Sequence, residues 1–262
     1  MPLQKEISKI VSNTAYNAYE AKLEKEVFED EMPKHLAIIM DGNRRFAREM
    51  GMETGSGHVQ GKQKLEEVIE WCHKAGIRIL TVYAFSTENF SRSEDEVELL
   101  MEMFEENFRA LGDDERVHKN HIRVKVLGDR ELLPDGVKEA IDYVEGRTRE
   151  YDQYYYNIAI AYGGRQEIVY ALKQVAAKVK AGELEVDDID EKVISQHMYT
   201  SHVPDPDLVL RTSGEVRISN FLLWQMAYSE LYFTDIYWPG FRYIDFLRAV
   251  RSYQQRRRRY GK

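Results

Sequence analysis

His35-Leu-Ala-Ile-Ile-Met-Asp41-Gly42-Asn43-Arg44-Arg45-Phe46-Ala47 joins a short apolar run to a polar, cationic one. Leu36 to Met40 is an apolar run of the length and makeup of a buried strand. It stops at an aspartate, a glycine and an asparagine, and a helix-like stretch with two arginines follows. In an open α/β sheet, ligands sit outside the carboxyl ends of the strands. Asp41 therefore belongs at the rim of a cleft, where a carboxylate can hold a hard cation such as Mg²⁺. Gly42 lets a ligand approach the backbone, and the helix start offers free N–H groups to an anion. The stretch reads as a site for a metal-bound phosphate or diphosphate. It reads equally as a turn in which Asp41 caps a helix.

Outward from it, the chain has 262 residues, 43% of them hydrophobic, enough for one sizeable core. A net charge of −8 argues against bulk nucleic-acid binding. The single cysteine, Cys72, excludes an intrachain disulfide and any multi-cysteine metal site. It fits a reducing compartment. No apolar run reaches the roughly 18 residues of a membrane span, and the N-terminus has no secretory pattern. A cytoplasmic protein is expected.

Residues 3 to 30 read as an amphipathic helix carrying Leu3, Ile7, Ile10 and Val11, then Tyr16, Tyr19, Leu23, Val27 and Phe28. Residues 1–33 form an N-terminal extension and 34–262 one domain. Gly51 to Gly61 reads as a glycine-rich loop around His58, followed by a helix from about Gln60 to Ala75. Strands are expected at Ile77 to Phe85, His121 to Leu127, Tyr154 to Tyr162, Asp207 to Leu210 and Glu230 to Tyr237. Ser93 and Glu96 have the spacing of a capping box opening the next helix. Helices are also expected over 135–150, from Arg165 to Ala181, over 218–228 and from Tyr243 to Arg259. Strand then helix, repeated six times, predicts a single α/β domain with a six-stranded, mostly parallel sheet flanked by helices.

Four of these strands end in polar clusters: Asp41-Gly-Asn-Arg-Arg, Ser86-Thr-Glu-Asn, Gly163-Gly-Arg165, and Arg211 through Ser219. In a parallel sheet such ends share one side, which gathers arginines, hydroxyls and carboxylates around one cleft. Arginine suits a diphosphate because its planar fork donates two hydrogen bonds at once. Each cluster alone could be a capped helix or a surface ion pair. Neither a phosphate-binding Gly-x-x-x-x-Gly-Lys loop nor a Gly-x-Gly-x-x-Gly turn is present.

The chain resembles the cis-prenyltransferases of the undecaprenyl diphosphate synthase type over residues 34–262. The resemblance is carried by His35 to Asn43, Gly57-His58, Tyr83-Ala-Phe-Ser-Thr-Glu-Asn89, Tyr162-Gly-Gly-Arg165, Asp207 to Glu215, Arg217 to Gln225 and Ser229-Glu-Leu-Tyr-Phe233. Asp187-Asp188-Ile189-Asp190-Glu191 superficially looks like the aspartate-rich motif of the unrelated trans-prenyl synthases, and is read as helix capping.

The resemblance implies an enzyme that condenses isopentenyl diphosphate sequentially onto an allylic diphosphate, geranylgeranyl or farnesyl diphosphate, making each new double bond cis. Asp41 would bind Mg²⁺, with Glu230 as a second metal carboxylate. Gly42, Asn43, Arg44, Arg45, Phe46, Thr54 and His58 would surround the allylic diphosphate. Arg211, Arg217, Ile218 and Ser219 would hold isopentenyl diphosphate. Ser86, Thr87, Glu88, Asn89, Phe90 and Arg92 would form a loop over the cleft. Asn89 matches a position assigned as proton acceptor, yet an amide is barely basic; a diphosphate oxygen oriented by Asn89 is the better base.

An apolar tunnel for the growing chain is expected along Ala84, Phe104, Phe108, Tyr154, Tyr156 and Ile158. Arg259-Tyr260-Gly261 resembles a tail that reaches a partner's site, which implies a homodimer. Peripheral contact with the inner face of a membrane is expected too.

The chain also departs from the commoner bacterial pattern. Arg44 replaces glycine, Thr54 a basic residue, Val216 a histidine, and Phe46 and Phe90 tryptophans. Arg44 is expected to supply the charge that Thr54 lacks. Together with the extension, these changes look more like an archaeal or eukaryotic-type member, and favour geranylgeranyl diphosphate as starter. The competing readings are a non-catalytic partner subunit and an unrelated phosphate-binding α/β protein.

Overall fold

The computed structural model describes residues 16–260, with side chains through residue 257. The expected positions Leu3, Ile7, Ile10 and Val11, and the tail Arg259-Tyr260-Gly261, lie outside the described side chains.

Six strands form one sheet: β1 (His35–Ile39), β2 (Ile79–Ser86), β3 (Ile122–Leu127), β4 (Tyr154–Tyr162), β5 (Leu208–Arg211) and β6 (Glu230–Phe233). Their order is β3-β4-β2-β1-β5-β6. Every pairing is parallel, so the sheet is wholly rather than mostly parallel. From β1 the chain adds β2, crosses to β3 at the edge, returns to insert β4 between them, and then places β5 and β6 on the other side of β1. The order therefore reverses at β1, and a crevice opens at such a switch point.

The helices are α1 (described over 16–28), α2 (Asn43–Glu49), α3 (Thr54–Lys74), α4 (Glu94–Asp113), α5 (Glu115–Lys119), α6 (Asp135–Thr148), α7 (Gly164–Ala181), α8 (Glu191–Ser195) and α9 (Tyr243–Tyr260). All five residues of β1 are buried. Alternate side chains serve opposite faces of the sheet, as the strand period requires. Leu36 and Ile38 pack in the cluster of Val68, Cys72 and Phe246. Ala37 and Ile39 pack in that of Phe221 and Leu222. In α1, Leu23 and Val27 are buried, whereas Tyr19 and Phe28 are exposed. Gln254 of α9 donates to the Val27 carbonyl at 2.8 Å, which ties α1 to the end of the chain.

Three expectations fail locally. The glycine-rich segment is not a loop: α3 begins at Thr54 and takes in Gly55, Gly57 and Gly61. These glycines serve a close crossing with α2. A Cβ on Gly57 would lie 2.4 Å from the Asn43 carbonyl oxygen, and one on Gly61 would lie 2.6 Å from Asn43 Oδ1. Residues 218–228 are turns rather than helix. Ser219, Asn220 and Leu222 have φ of 47°, 61° and 41°, which no right-handed helix accommodates. Finally, Ser93 starts α4 without a side-chain cap bond, because Glu96 is engaged elsewhere. Asp190, by contrast, does cap α8, accepting from Val193 N at 2.8 Å.

Candidate active site

The ends of β1, β2 and β5 meet at the switch point, and a polar cleft of about 710 Å³ opens there. Gly42 turns the chain sharply at the end of β1. Its φ is +110°, and a Cβ would lie 2.8 Å from Tyr237 Cδ1. That turn starts α2 at Asn43 and leaves Asp41 on the rim. Thr212 Oγ1 and Trp238 N both donate to the Asp41 carbonyl, at 2.7 and 3.0 Å, and fix its backbone.

Both oxygens of the Asp41 carboxylate hold an arginine. Arg45 Nη2 donates to Oδ1 at 3.0 Å and Arg211 Nη2 to Oδ2 at 2.7 Å. Burial pushes the Asp41 carboxyl up, but hydrogen bonds from Arg211, Ser213 and Arg45 outweigh it and hold the group below its ordinary range. Asp41 is ionised at neutral pH.

Arg211 is almost wholly buried. Its Nη1 donates to Ser219 Oγ at 2.7 Å and to the Arg217 carbonyl. Its Nε is buried without a hydrogen-bond partner. Arg45 also reaches Ser213 Oγ at 2.6 Å and Glu215 Oε1 at 3.0 Å, and Arg217 pairs with the other oxygen of Glu215. Three guanidiniums are thus arranged by two carboxylates, an array suited to a bidentate anion.

The turns that carry Arg217 to Asn220 are braced from below. Glu167 accepts from the Tyr162 hydroxyl and from Gln225 Nε2, and Gly164 N donates to the Asn220 carbonyl at 2.6 Å. Burial pushes the Glu167 carboxyl up against these bonds.

The opposite wall comes from the end of β2. Asn89 Oδ1 accepts from Ser86 N at 3.1 Å, which leaves the Asn89 amide a donor toward the cleft. Glu88 accepts from Asn220 Nδ2 at 3.2 Å, across the opening. Glu96, one turn into α4, receives three cationic or imidazole groups: Arg92 at 2.9 Å, His58 at 3.3 Å and Arg44 at 3.6 Å. Burial holds the His58 imidazole below its usual pKa, although Glu96 opposes this. Neither Glu96 nor the cleft residue Arg48 was among the sequence candidates. The only signal for Glu96 was its place in an acidic helix start, where it looked like a cap.

Asp41, Gly42, Asn43, Arg44, Arg45, His58, Ser86, Glu88, Asn89, Arg92, Arg211, Arg217 and Ser219 all line the cleft. Phe46, Thr54, Thr87, Phe90 and Ile218 are not on its walls. Thr54 is exposed at the start of α3. Thr87 Oγ1 accepts from Gln166, Phe90 packs edge-on against Phe85, and Ile218 packs against the lower core. Arg165 belongs to a different cleft, beside Lys125 and Lys173.

Glu230 stands apart. It pairs with Leu208 at the entry of the strands, three residues before the position level with Arg211. That is about 10 Å along the strand, and Asp41 lies beyond the far end. A single chain does not bring Asp41 and Glu230 to one ion. Glu230 pairs with Arg256 at 3.0 Å instead.

Behind the cleft lies an apolar cavity of about 450 Å³ between α3, α4 and the sheet. Met40, Asn43, His58, Ala84 and Leu100 border both spaces, so the polar cleft runs into the apolar one. Of the residues named for a tunnel, Ala84, Phe104, Phe108, Tyr156 and Ile158 line this cavity. Tyr154 does not, because it lies a layer further along β4, against His73.

Residues 39–261 match the prenyltransferase family model for undecaprenyl diphosphate synthase. The chain belongs to the undecaprenyl diphosphate synthase family of prenyltransferases. A relative in this family, the tritrans,polycis-undecaprenyl-diphosphate synthase (geranylgeranyl-diphosphate specific) of Pyrococcus horikoshii, is 55% identical over 98% of this chain and 97% of its own. The protein of the same name from Methanocaldococcus jannaschii is 55% identical over 93% of this chain and 88% of its own. Among solved structures of this fold, lavandulyl diphosphate synthase from Lavandula x intermedia, in complex with dimethylallyl diphosphate, superimposes with a TM-score of 0.81. It is 40% identical and covers 85% of this chain and 95% of its own.

Proposed function

We propose that this chain is a cis-polyprenyl diphosphate synthase. It condenses isopentenyl diphosphate sequentially onto an allylic diphosphate, and the geranylgeranyl-diphosphate specificity of its relatives favours that starter over farnesyl diphosphate. One observation carries the reading: an arginine-lined polar cleft opens into an apolar cavity, which matches a substrate with a diphosphate head and a hydrocarbon tail.

The allylic diphosphate fits the start of α2, against Gly42, Asn43, Arg44 and Arg45, with its tail passing His58 and Ala84 into the cavity. Isopentenyl diphosphate fits Arg211, Arg217 and Ser219. In the reaction, the double bond of isopentenyl diphosphate attacks C1 of the allylic substrate. The C1–O bond breaks, diphosphate departs with the electron pair, and a proton is lost from C2 of the added unit. The arginines stabilise the negative charge that develops on the leaving group. Asn89 donates through its amide, since its oxygen is occupied. It therefore orients a diphosphate oxygen that takes the proton, and is not itself the base.

Among the described residues, no group of three or more metal-ligating side chains is present. Asp41 nonetheless fits Mg²⁺, an ion held by one or two carboxylates together with substrate phosphates and water. When bound, the ion would neutralise diphosphate charge beside Asp41. Phe46, Thr54, Thr87, Phe90 and Ile218 lie off the cleft walls, which favours an indirect part for them.

We take residues 34–262 as the catalytic unit and 1–33 as an extension, of which Val27 meets Gln254 of α9. The reading includes a homodimer, in which Arg259-Tyr260-Gly261 and Glu230 would serve a partner's site, and a cytoplasmic enzyme that delivers its product to a membrane surface. Among the described residues, no helix is long and apolar enough to cross a membrane.

The deciding assay supplies labelled isopentenyl diphosphate, Mg²⁺ and either starter, then sizes the dephosphorylated products. A polyprenol ladder is the expected result. Absence of any prenyl product from folded enzyme would overturn the reading.

A further inference from the structure

The apolar cavity carries charge at the end away from the cleft. Leu111, Val117 and Ile122 line its last part, and the polar groups of Glu70, Asp114 and Arg116 follow at the mouth. Arg116 of α5 spans that mouth. Its Nη1 donates to Glu70 of α3 at 3.3 Å, and its Nη2 to Asp114 at 2.7 Å. The helix α3 is otherwise held across the cavity from α4 at the cleft end, where His58 meets Glu96. The cavity thus lies between two polar ties, one beside the reacting groups and one at the exit.

A space of about 450 Å³ is of the size that encloses a drug-sized ligand. A prenyl chain that gains a unit with every condensation outgrows it. Its tail then meets the Arg116–Glu70 bridge, and hydrocarbon cannot pass an ion pair without separating or displacing it. Both side chains are more than half exposed, so their pairing is weak and breaks at small cost.

We propose that the Arg116–Glu70 bridge is a gate at the cavity exit that sets how readily chains grow beyond the cavity. The inference rests on the prenyl-synthase reading above. Glu70 lies twelve residues beyond His58 along α3, about 18 Å, so the bridge acts on late condensations and spares the first when the starter is the shorter farnesyl diphosphate. Asp114 holds the Arg116 guanidinium in place, and its cap bond to Arg116 N is a backbone contact that survives loss of the side chain.

The test compares the unmodified enzyme with Arg116→Ala, Glu70→Ala, the double variant and Arg116→Lys. Each is given labelled isopentenyl diphosphate and farnesyl diphosphate, the starter whose tail stops short of the bridge, and both the first-addition rate and the final length distribution are read. Both alanine substitutions fall on helices and favour them. The expected result is an unchanged first addition. The ratio of long to short products should rise about two- to fivefold in either single variant, the range an exposed pair can impose. The double variant should add nothing further, and Arg116→Lys should stay near the unmodified enzyme. Normal first addition with an unchanged or shortened distribution in the alanine variants overturns the gate. No prenyl product from the unmodified enzyme overturns the assigned function itself, and the gate with it.

Discussion

Glu96 of α4 faces His58 of α3 at 3.3 Å, and the same carboxylate holds Arg92 at 2.9 Å and Arg44 at 3.6 Å. One acid thus joins three helical or loop segments where the polar cleft meets the apolar cavity.

Replacing that acid should loosen the substrate's seat rather than abolish chemistry. For Glu96→Ala we expect KM for the allylic diphosphate to rise about tenfold, the loss of one to two charge-assisted contacts. The fall in kcat should be smaller. Steady-state kinetics with each substrate varied in turn checks this; an unchanged KM would remove Glu96 from the binding machinery.

Arg44 lines the cleft while Thr54 does not, which fits the expectation that Arg44 supplies the missing charge. Arg44→Gly should then weaken allylic diphosphate binding several-fold, as loss of one charged hydrogen bond does. Equal affinity in the two proteins, measured by titration calorimetry, would show that the charge is idle.

Asp41→Ala removes the carboxylate that organises Arg45 and Arg211. Turnover should fall by about two to three orders of magnitude, as for loss of a major electrostatic group. The variant should also lose about 1–3 kcal/mol of stability, since Arg211 is left buried with fewer partners. Asp41→Asn should recover part of that stability and little of the rate. Denaturant unfolding beside the activity assay separates the two effects.

Acid should unfold this protein through its sheet. His35 is buried, with one ring nitrogen 2.7 Å from the Pro204 carbonyl and the other 2.7 Å from Thr81 Oγ1, and burial pushes its pKa down to about 4. His202, 3.0 Å from Asn157 Oδ1, is pushed down to about 4 as well, first by burial and then by Lys125 and Arg123. Unfolded histidine titrates near 6.5, so between about pH 6.5 and 4 the unfolded chain binds more protons. The stabilisation is complete above pH 6.5 and is lost as pH falls toward 4. For His35 alone this amounts to about 3 kcal/mol. Urea midpoints at pH 7.5 and 5 should differ accordingly, and His35→Gln should flatten the difference.

Much of this architecture was readable because strands of a covered parallel sheet are apolar runs, and those ending at Asp41, Ser86 and Arg211 each stop at a polar cluster. The glycines at 55, 57 and 61 were misread because a helix that must cross another closely uses the same residue as a loop. Residues 218–228 carry apolar side chains at near-helical spacing, but Phe221 and Leu222 reach the core from turns. That Glu230 stands at the other end of the sheet from Asp41 is not legible, because a motif does not say at which end of its strand a residue stands. Glu96 escaped because partners from three segments are invisible to local spacing.

The Asp41 carboxylate touches Arg45 with one oxygen and Arg211 with the other. On the proposed reading, Arg45 belongs to the departing head group and Arg211 to the incoming one. After each condensation the lengthened lipid is anchored at the Arg211 side, while its next turn as starter requires the Arg45 side. A single shared acid makes that transfer a step between neighbouring guanidiniums, with no journey through solvent. Processivity would then be built into one residue: the lipid is handed across Asp41 and need not be released between rounds.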